Sequence, residues 1–340
     1  MSGSGGRYSR QERFAPIGAA GQARIQAARV LIVGCGGLGS NSAGLLARAG
    51  VGFLRIVDRD VVELSNLARQ SLYCEADADG EHPKAVAAAR RIGEVSSDVR
   101  VEPVVADVDA RNILGFLEGV DLVVDGLDNF EARYLLNDAC VSRGLPWIYG
   151  ACVGATAMAA LLVPRVTACY RCLHRQLPAP GSAATCDTAG IIGPAAMLAA
   201  SMQVSLALRF LVEGPPADPA IASADAWDLH LDRLPLPPRD PRCPCCGLGQ
   251  YEFLAREQRA TTVLCGRSAI AVRALSGRAP DLMALAERLR GLGRVHVNEF
   301  LLRLVAEPYE LTLFQDGRAI VKGTDDEALA RSLVARWVGV

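Results

Sequence analysis

Two cysteine pairs, Cys169-x-x-Cys172 and Cys243-x-x-Cys246, stand well apart in this chain, downstream of a glycine-rich turn from Gly34 to Gly39. Four thiolates in two short-spaced pairs suit a tetrahedral Zn²⁺, because each pair chelates from one turn and the ion then joins two distant loops. With four protein ligands the sphere is closed, so such a centre stabilises the fold and leaves no position open for chemistry. Cys245 lies inside the second pair and competes as a ligand; the x-x spacing favours Cys243 and Cys246.

The turn Gly34-Cys-Gly36-Gly37-Leu-Gly39 follows an apolar run and opens a helical one. Glycines let backbone approach a phosphate closely, and a helix N-terminus favours its negative charge. Asp58, about twenty residues on at the end of the next apolar run, is placed to accept from ribose hydroxyls. The turn does not say which nucleotide: positions 34, 36 and 39 also satisfy the NAD fingerprint, and an NAD-dependent oxidoreductase is the competing reading.

Cations separate the two. Arg10, Arg69 and Lys84 stand in polar contexts, Arg7-Tyr-Ser-Arg10-Gln11, Ser65-Asn66-Leu-Ala-Arg69-Gln70 and Pro83-Lys84. A reacting triphosphate needs several cations, and arginine matches phosphate oxygens in pairs. Asp128, in Asp125-Gly-Leu-Asp128-Asn129, suits either Mg²⁺, which takes one or two carboxylates plus phosphate oxygens, or the N-cap of the helix that begins there. Cys186, in Ala184-Thr-Cys186-Asp-Thr188 shortly before a helix, is either a nucleophile acidified by that helix start or an ordinary loop thiol. Cys35, Cys74, Cys140, Cys152 and Cys265 read as small apolar fillers. The four histidines have no metal or triad spacing.

These residues need a frame. Ala28–Val33 and Phe53–Val57 read as strands around a helix Ser42–Ala49 that ends at Gly50, a β-turn-α-β unit implying a parallel, doubly wound sheet. Pro83–Glu94 reads as a helix, Val99–Val105, Leu122–Asp125, Ile148–Ala151 and Ala157–Val163 as strands. Asp128 falls just past a strand's carboxyl end, where ligands bind in open α/β sheets. The apolar stretch near Ala195–Val212 carries Ser201, Gln203, Ser205 and Arg209 and reads as a buried helix, not a membrane span. Within 214–242, Trp227–Leu231 reads as one short strand. The texture changes after Gln250, with strands expected at Thr261–Leu264, Ala269–Ala274, Leu301–Val305 and Glu310–Phe314. A helix is expected at Asp281–Arg290, a hairpin turn at Asp316-Gly317, and a last helix at Asp325–Trp337 capped by Thr324 or Asp325. The expected fold class is α/β, a Rossmann-like doubly wound sheet in residues 1–250 with a zinc-stapled C-terminal part, followed by a small α+β domain in 255–340.

The chain has 340 residues, enough for one large or two smaller cores. Its 36 basic and 37 acidic residues leave a formal charge of −1, which favours neither nucleic acid nor an anionic membrane. Eleven cysteines is an odd number, and the N-terminal segment has no apolar core. Both point to reduced thiols in the cytoplasm rather than a secreted disulfide framework.

In this order, the Arg10 segment, the glycine turn, Ser65-Asn66-Leu-x-Arg69-Gln70, Pro83-Lys84, Asp125-x-x-Asp128-Asn129, Cys169-Tyr-Arg-Cys172-Leu and Thr185-Cys186-x-x-Ala-Gly190 resemble the ThiF/MoeB family, bacterial relatives of ubiquitin-activating enzymes. The likeness covers about residues 7–250. Beyond it, Thr262–Arg267, Val297–Leu302 and Phe314–Ala319 are similar to a C-terminal extension of some thiamine-pathway ThiF proteins. The resemblance implies ATP- and Mg²⁺-dependent adenylation of the C-terminal glycine of a ThiS- or MoaD-like ubiquitin-like sulfur carrier. Sulfur from a donor such as a cysteine desulfurase would then replace AMP, for thiamine or molybdopterin. It implies that Gly37 backs the phosphates, Asp58 holds the ribose, Asn66, Arg69 and Lys84 contact phosphate groups, and Asp128 works with Mg²⁺. It also implies a homodimer in which Arg10 reaches the partner's site, and that Cys186 matches a loop cysteine whose role as acyl or persulfide carrier varies. A non-catalytic scaffold for a ubiquitin-like partner is the remaining alternative. His82, inserted before Pro83, and the Cys-Pro-Cys-Cys second pair depart from the family pattern.

Overall fold

A strand that is apolar on both faces belongs inside a sheet covered on both sides. Arg29–Val33 (β1) is such a strand: Val30 and Ile32 enter one core, Leu31 and Val33 the other. The computed structural model describes residues 6–179, 186–256, 261–264, 269–273 and 280–339. The chain divides into two units, Met1–Arg256 and Glu257–Val340.

In the first unit β1 is joined by β2 (Phe53–Asp58), β3 (Arg100–Val105), β4 (Leu122–Asp125), β5 (Trp147–Val153), β6 (Thr156–Leu162), β7 (Ala220–Asp225) and β8 (His230–Pro235), in the spatial order β3-β2-β1-β4-β5-β6-β7-β8. The first five are parallel. β5 to β8 run antiparallel. The expected parallel sheet is therefore mixed, because short connections at 154–155 and 226–229 can only return the chain antiparallel. Helices Gly39–Ala49, Lys84–Val95 and Gly193–Glu213 supply one core, and Phe130–Arg143 the other, so the sheet is doubly wound. After β3 the chain crosses to the far side of β1, and the switch point lies between β1 and β4.

Gly193–Glu213 is, among the described residues, the one helix long and apolar enough to cross a membrane. Here it packs on β5 and β6 and against Gly39–Ala49, with Gln203 fully buried in its middle.

Trp227–Leu231 is not one strand. Ala226 to Leu229 form the turn between β7 and β8. The Asp225 side chain accepts from the N–H groups of Trp227 at 2.8 Å and Asp228 at 3.0 Å, and Leu229 adopts φ 56°. Local side-chain bonding by aspartate outweighed the apolar alternation there.

The second unit is a six-stranded antiparallel sheet with β9 (Thr261–Leu264), β10 (Ala269–Arg273), β11 (Arg294–Val297), β12 (Leu301–Ala306), β13 (Tyr309–Phe314) and β14 (Arg318–Lys322), ordered β11-β12-β13-β14-β10-β9. Helices Leu282–Leu289 and Glu327–Val338 share its core with Leu302, Leu304, Leu311 and Leu313. β11, with His296 and Arg294, carries too little apolar pattern to be expected as a strand. The last helix starts later than expected: Asp326 is its cap, accepting from Ala328 and Leu329 N–H, while Thr324 Oγ1 accepts from the Asp326 N–H. The Asp316-Gly317 turn joins β13 to β14, with Gly317 at φ 80°. Cys265 and Arg267 lie outside the described residues.

Candidate functional site

Past β1 the chain turns through Gly34 at φ 86°. A methyl on Gly34 would sit 2.6 Å from the Gly126 carbonyl oxygen, and one on Gly39 1.8 Å from the Gly34 oxygen. The loops after β1 and β4 can therefore meet only as bare backbone. Gly36 and Gly37 differ. Among the described residues, a methyl on Gly36 would meet only Gln70 Nε2 at 4.0 Å, and one on Gly37 would meet the Arg69 and Ala196 side chains at an ordinary 3.7 Å. Packing does not demand glycine at either place, so the space over them is room for a ligand. The helix they lead into, Gly39–Ala49, has no side-chain cap; the Ser40 N–H donates to the Gly36 carbonyl at 3.1 Å, and the helix start as a whole favours an anion. Gly39→Ala should cost about 4 kcal/mol by denaturant titration, the range for an unrelieved backbone clash. Gly37→Ala should cost less than about 1 kcal/mol; equal losses would mean both glycines serve packing alone.

Asn41 ties this turn to the Arg69 segment. Its Nδ2 donates to the carbonyls of Gly37 at 2.6 Å and Arg69 at 2.9 Å, and its Oδ1 accepts from Ser71 Oγ at 2.6 Å. The Arg69 stem lies over Gly37, and its Nη1 donates to the Ser65 carbonyl at 2.8 Å. Asn66 is buried, and its Oδ1 accepts from the Glu63 N–H at 3.1 Å, bracing the short turn Leu64–Asn66.

Asp58 ends β2. It accepts from the Cys35 N–H at 2.6 Å, inside the glycine turn, and from the Asp60 N–H at 2.7 Å. Burial pushes its carboxyl above the ordinary range, while Lys84 pulls against that. Lys84 is buried, with Nζ donating to Asp60 Oδ2 at 3.0 Å and its N–H to the Asp60 carbonyl at 2.9 Å. The inserted His82 is accommodated by a local knot in which its ring lies 3.4 Å from Asp77 Oδ1. Asp77 also accepts from Arg90 and from the Cys74 thiol at 3.2 Å. Cys74 is thus a half-buried donor rather than a core filler.

β4 delivers Asp125 into the interior. Its Oδ2 accepts from Arg133 Nε at 2.9 Å and its Oδ1 from the Leu127 N–H at 2.8 Å. Burial raises the Asp125 carboxyl, and Arg133 opposes the rise. Arg133 also donates to the Leu127 and Gly150 carbonyls at 2.6 and 2.9 Å. Gln203 closes the lattice, donating to the Asp125 carbonyl at 2.7 Å and accepting from Ser42 Oγ at 3.1 Å. The loop is fixed, and Asp128 at its tip is exposed. Asn129 is the helix N-cap, accepting from the Ala132 N–H at 2.8 Å, so Asp128 is not the cap.

Contacts thus link the glycine turn to Asp58, Lys84 and the Asn66–Arg69 segment around the switch point, while Asp128 stands at the tip of the loop whose Gly126 touches Gly34. Arg10 stands elsewhere. Its neighbour Gln11 donates to the Ala49 carbonyl at 2.9 Å, at the far end of the helix that the glycine turn opens. Eleven residues of helix make about 16 Å. Cys186 opens the short helix Cys186–Ala189, and its side chain lies outside the described residues. Asn41, Asp60, Arg133 and Gln203 were not expected at this site. Only Gln203 carried a signal, as a polar residue inside an apolar helix.

The metal centre is formed by loops at the other end of the second half. Sγ atoms of Cys169, Cys172, Cys243 and Cys246 all lie within 4.8 Å of one another. The separations are 3.9 Å for Cys169–Cys172, 3.7 Å for Cys169–Cys243 and 3.5 Å for Cys172–Cys246. Zinc–sulfur bonds of about 2.3 Å at tetrahedral angles put sulfurs about 3.8 Å apart, so the four thiols are compatible with zinc. Burial and the neighbouring Cys172 push the Cys246 thiol up to about 11, so a cation is what would make it a thiolate ligand. Cys245 is outside the four-thiol set but buried beside it, packed with Cys169 and Cys243, and its sulfur accepts from Asn137 Nδ2 at 3.2 Å.

The sequence pattern described as the ThiF family matches residues 8–245. Over 337 residues the chain is 45% identical to a sulfur carrier protein ThiS adenylyltransferase of Bacillus subtilis (strain 168), covering 98% of this chain and 99% of that one. It is 41% identical over 249 residues to a SAMP-activating enzyme E1 of Haloferax volcanii, covering 73% of this chain and 91% of the relative. Among solved structures, E. coli MccB crystallised with ATP superposes with TM-score 0.61 at 24% identity, covering 72% of this chain and 75% of that one, a likeness of fold. A match that spans the glycine turn, the Asp128 loop and the first cysteine pair, with a relative alike over nearly its whole length, places this chain in the ThiF family.

Proposed function

We propose that the chain uses ATP to adenylate the C-terminal glycine of a ubiquitin-like sulfur carrier protein. The observation that carries the reading is the gathering at the switch point of an open glycine cradle, buried Lys84, Arg69 and an exposed carboxylate, Asp128. The names of the relatives, adenylyltransferases of sulfur carriers, support the same reaction. We place the reaction in residues 1–250 and leave residues 255–340 as a separate α+β domain.

In this reading the phosphates lie over Gly36 and Gly37, backed by the N–H groups that open the helix, and Asp58 accepts from the ribose. Arg69 and Lys84 offset charge on the phosphates, and Asn66 holds Arg69's turn against them. Asp128 would hold Mg²⁺, which supplies charge neutralisation for the departing pyrophosphate. The carrier's carboxylate is already a nucleophile at neutral pH, so no general base is required; positioning and charge stabilisation do the work. The absence of histidine from the residues that line the cradle agrees with that. The carboxylate oxygen attacks the α-phosphorus, pyrophosphate leaves, and the acyl-adenylate is ready for sulfur from a donor such as a cysteine desulfurase. In the same reading Cys186 serves the sulfur transfer as an acyl or persulfide carrier, and Arg10 reaches into the partner subunit's site of a homodimer. Cys169, Cys172, Cys243 and Cys246 would hold Zn²⁺ as a staple. No disulfide joins the nine cysteines whose side chains are described, in keeping with the reducing compartment proposed here, the cytoplasm.

The test is to incubate the protein with Mg²⁺-ATP and purified ThiS-like and MoaD-like carriers and weigh the carriers. A mass gain of one adenylyl group is expected on one of them. No adduct, and no carrier-dependent exchange of pyrophosphate into ATP, would overturn the reading. The carrier that gains mass also decides between thiamine and molybdopterin.

A further inference from the structure

Between Asp58 and Asp60 stands Arg59, a cation that the phosphate contacts leave unused. Its Nη1 donates to Asp107 Oδ1 at 3.1 Å, and its Nε lies 3.7 Å from Asp60 Oδ1. Asp107 belongs to the loop after β3, which is held in turn. Asn112 Nδ2 donates to the Asp107 carbonyl at 2.7 Å, and the Ala106 N–H donates to the Asp58 carbonyl at 3.2 Å. The Arg59 and Asp107 side chains are 28% and 31% exposed, so the pair is clamped yet accessible. Burial alone would lower the guanidinium's pKa; Asp107, Asp60, Asp128 and Asp58 outweigh it and raise it.

The direction of a bound nucleotide follows from the sheet order. Phosphates belong over the turn after β1 and ribose at Asp58 after β2. A nucleotide laid along that line carries its base onward to the carboxyl end of β3, where the Arg59–Asp107 pair crosses. A guanidinium held at its edge by a carboxylate has a planar face to stack on a purine, whereas a lysine ammonium has no plane. We propose that Arg59, oriented by Asp107, is the residue that positions the nucleotide's base. This rests on the ATP reading above. Arg59 acts on nucleotide binding and not on the chemical step.

The test uses the full-length protein with Arg59→Lys, which keeps the charge and loses the plane, and Arg59→Met, which loses both. For Arg59→Lys the KM for ATP in carrier-dependent pyrophosphate exchange should rise about tenfold, the scale of a lost planar stacking contact. Its kcat should stay within about twofold, and the KM for the carrier should not change. Inhibition by inorganic tripolyphosphate, which has no base, should be unaltered in Arg59→Lys and weakened in Arg59→Met. An ATP KM within twofold of wild type in Arg59→Lys overturns the proposal, as does tripolyphosphate inhibition that weakens as much as ATP binding. Calorimetric titration with ATP separates the two readings. A wild-type protein that binds ATP but catalyses no exchange refutes adenylation, and the Arg59 comparison is then read from binding alone. A wild-type protein that binds no ATP refutes both.

Discussion

Replacing Asp128 with alanine is expected to lower carrier-dependent pyrophosphate exchange at least about 10³-fold while the melting temperature stays within about 1 °C. The two expectations separate because of where the residue sits. Asp128 is exposed, and its recorded side-chain bond is from Asn129 Nδ2 at 3.2 Å. The helix that follows is capped by Asn129, and the loop is held by Asp125, Arg133 and Gln203 beneath it. Nothing structural is lost with the carboxylate; what is lost is the anion that would carry Mg²⁺ beside the phosphates. Exchange at the wild-type rate in the variant would remove Asp128 from the mechanism. A melting temperature that falls with activity would mean the loop, not the charge, was being measured. The same variant tests Arg10. Subunits of Arg10→Ala mixed with subunits of Asp128→Ala should regain up to about a quarter of wild-type activity, since one heterodimer site keeps both residues. Verified mixed dimers with no recovery would place Arg10 outside the partner's site.

The second large effect concerns the staple. Cys169→Ser should release the zinc and lower the melting temperature by about 10 °C or more. Structural zinc in small peptides contributes about 10–16 kcal/mol, and in a unit of this size each ~1 kcal/mol moves the midpoint by about 2–4 °C. Even a modest share of the metal's binding energy therefore produces the shift. Cys169 and Cys243 are nearly fully buried, so a bare thiol set also leaves a poorly packed centre. Cys245→Ser is the control: it sits outside the four-sulfur set against Asn137, and zinc content should stay at one per chain. Unchanged metal in Cys169→Ser, or loss of metal in Cys245→Ser, would require a different ligand set.

Much of the first unit was open to reading because its signals are local. A continuous apolar run, a glycine turn and a helix ending at Gly50 are written within a few dozen residues, and β1, the helix Gly39–Ala49 and β2 follow from them. The cysteine pairs were equally plain, since ligand chemistry and spacing speak without a fold. The hairpin around Trp227 was misread because one aspartate's hydrogen bonds decided it. β11 was missed because its pairing with β12 does what its own residues do not suggest.

Residue type and short spacing alone marked the turn after β1 as suited to an anion and the two cysteine pairs as suited to one metal, because backbone freedom at glycine and thiolate affinity for zinc are properties of the residues themselves. Only the folded chain decided which glycines serve packing and which leave room, that Asn129 rather than Asp128 caps its helix, that Cys245 stands aside, and that Arg59 reaches across to Asp107. Those outcomes depend on distances between segments far apart in sequence, and such distances exist only once the sheet has set its strand order.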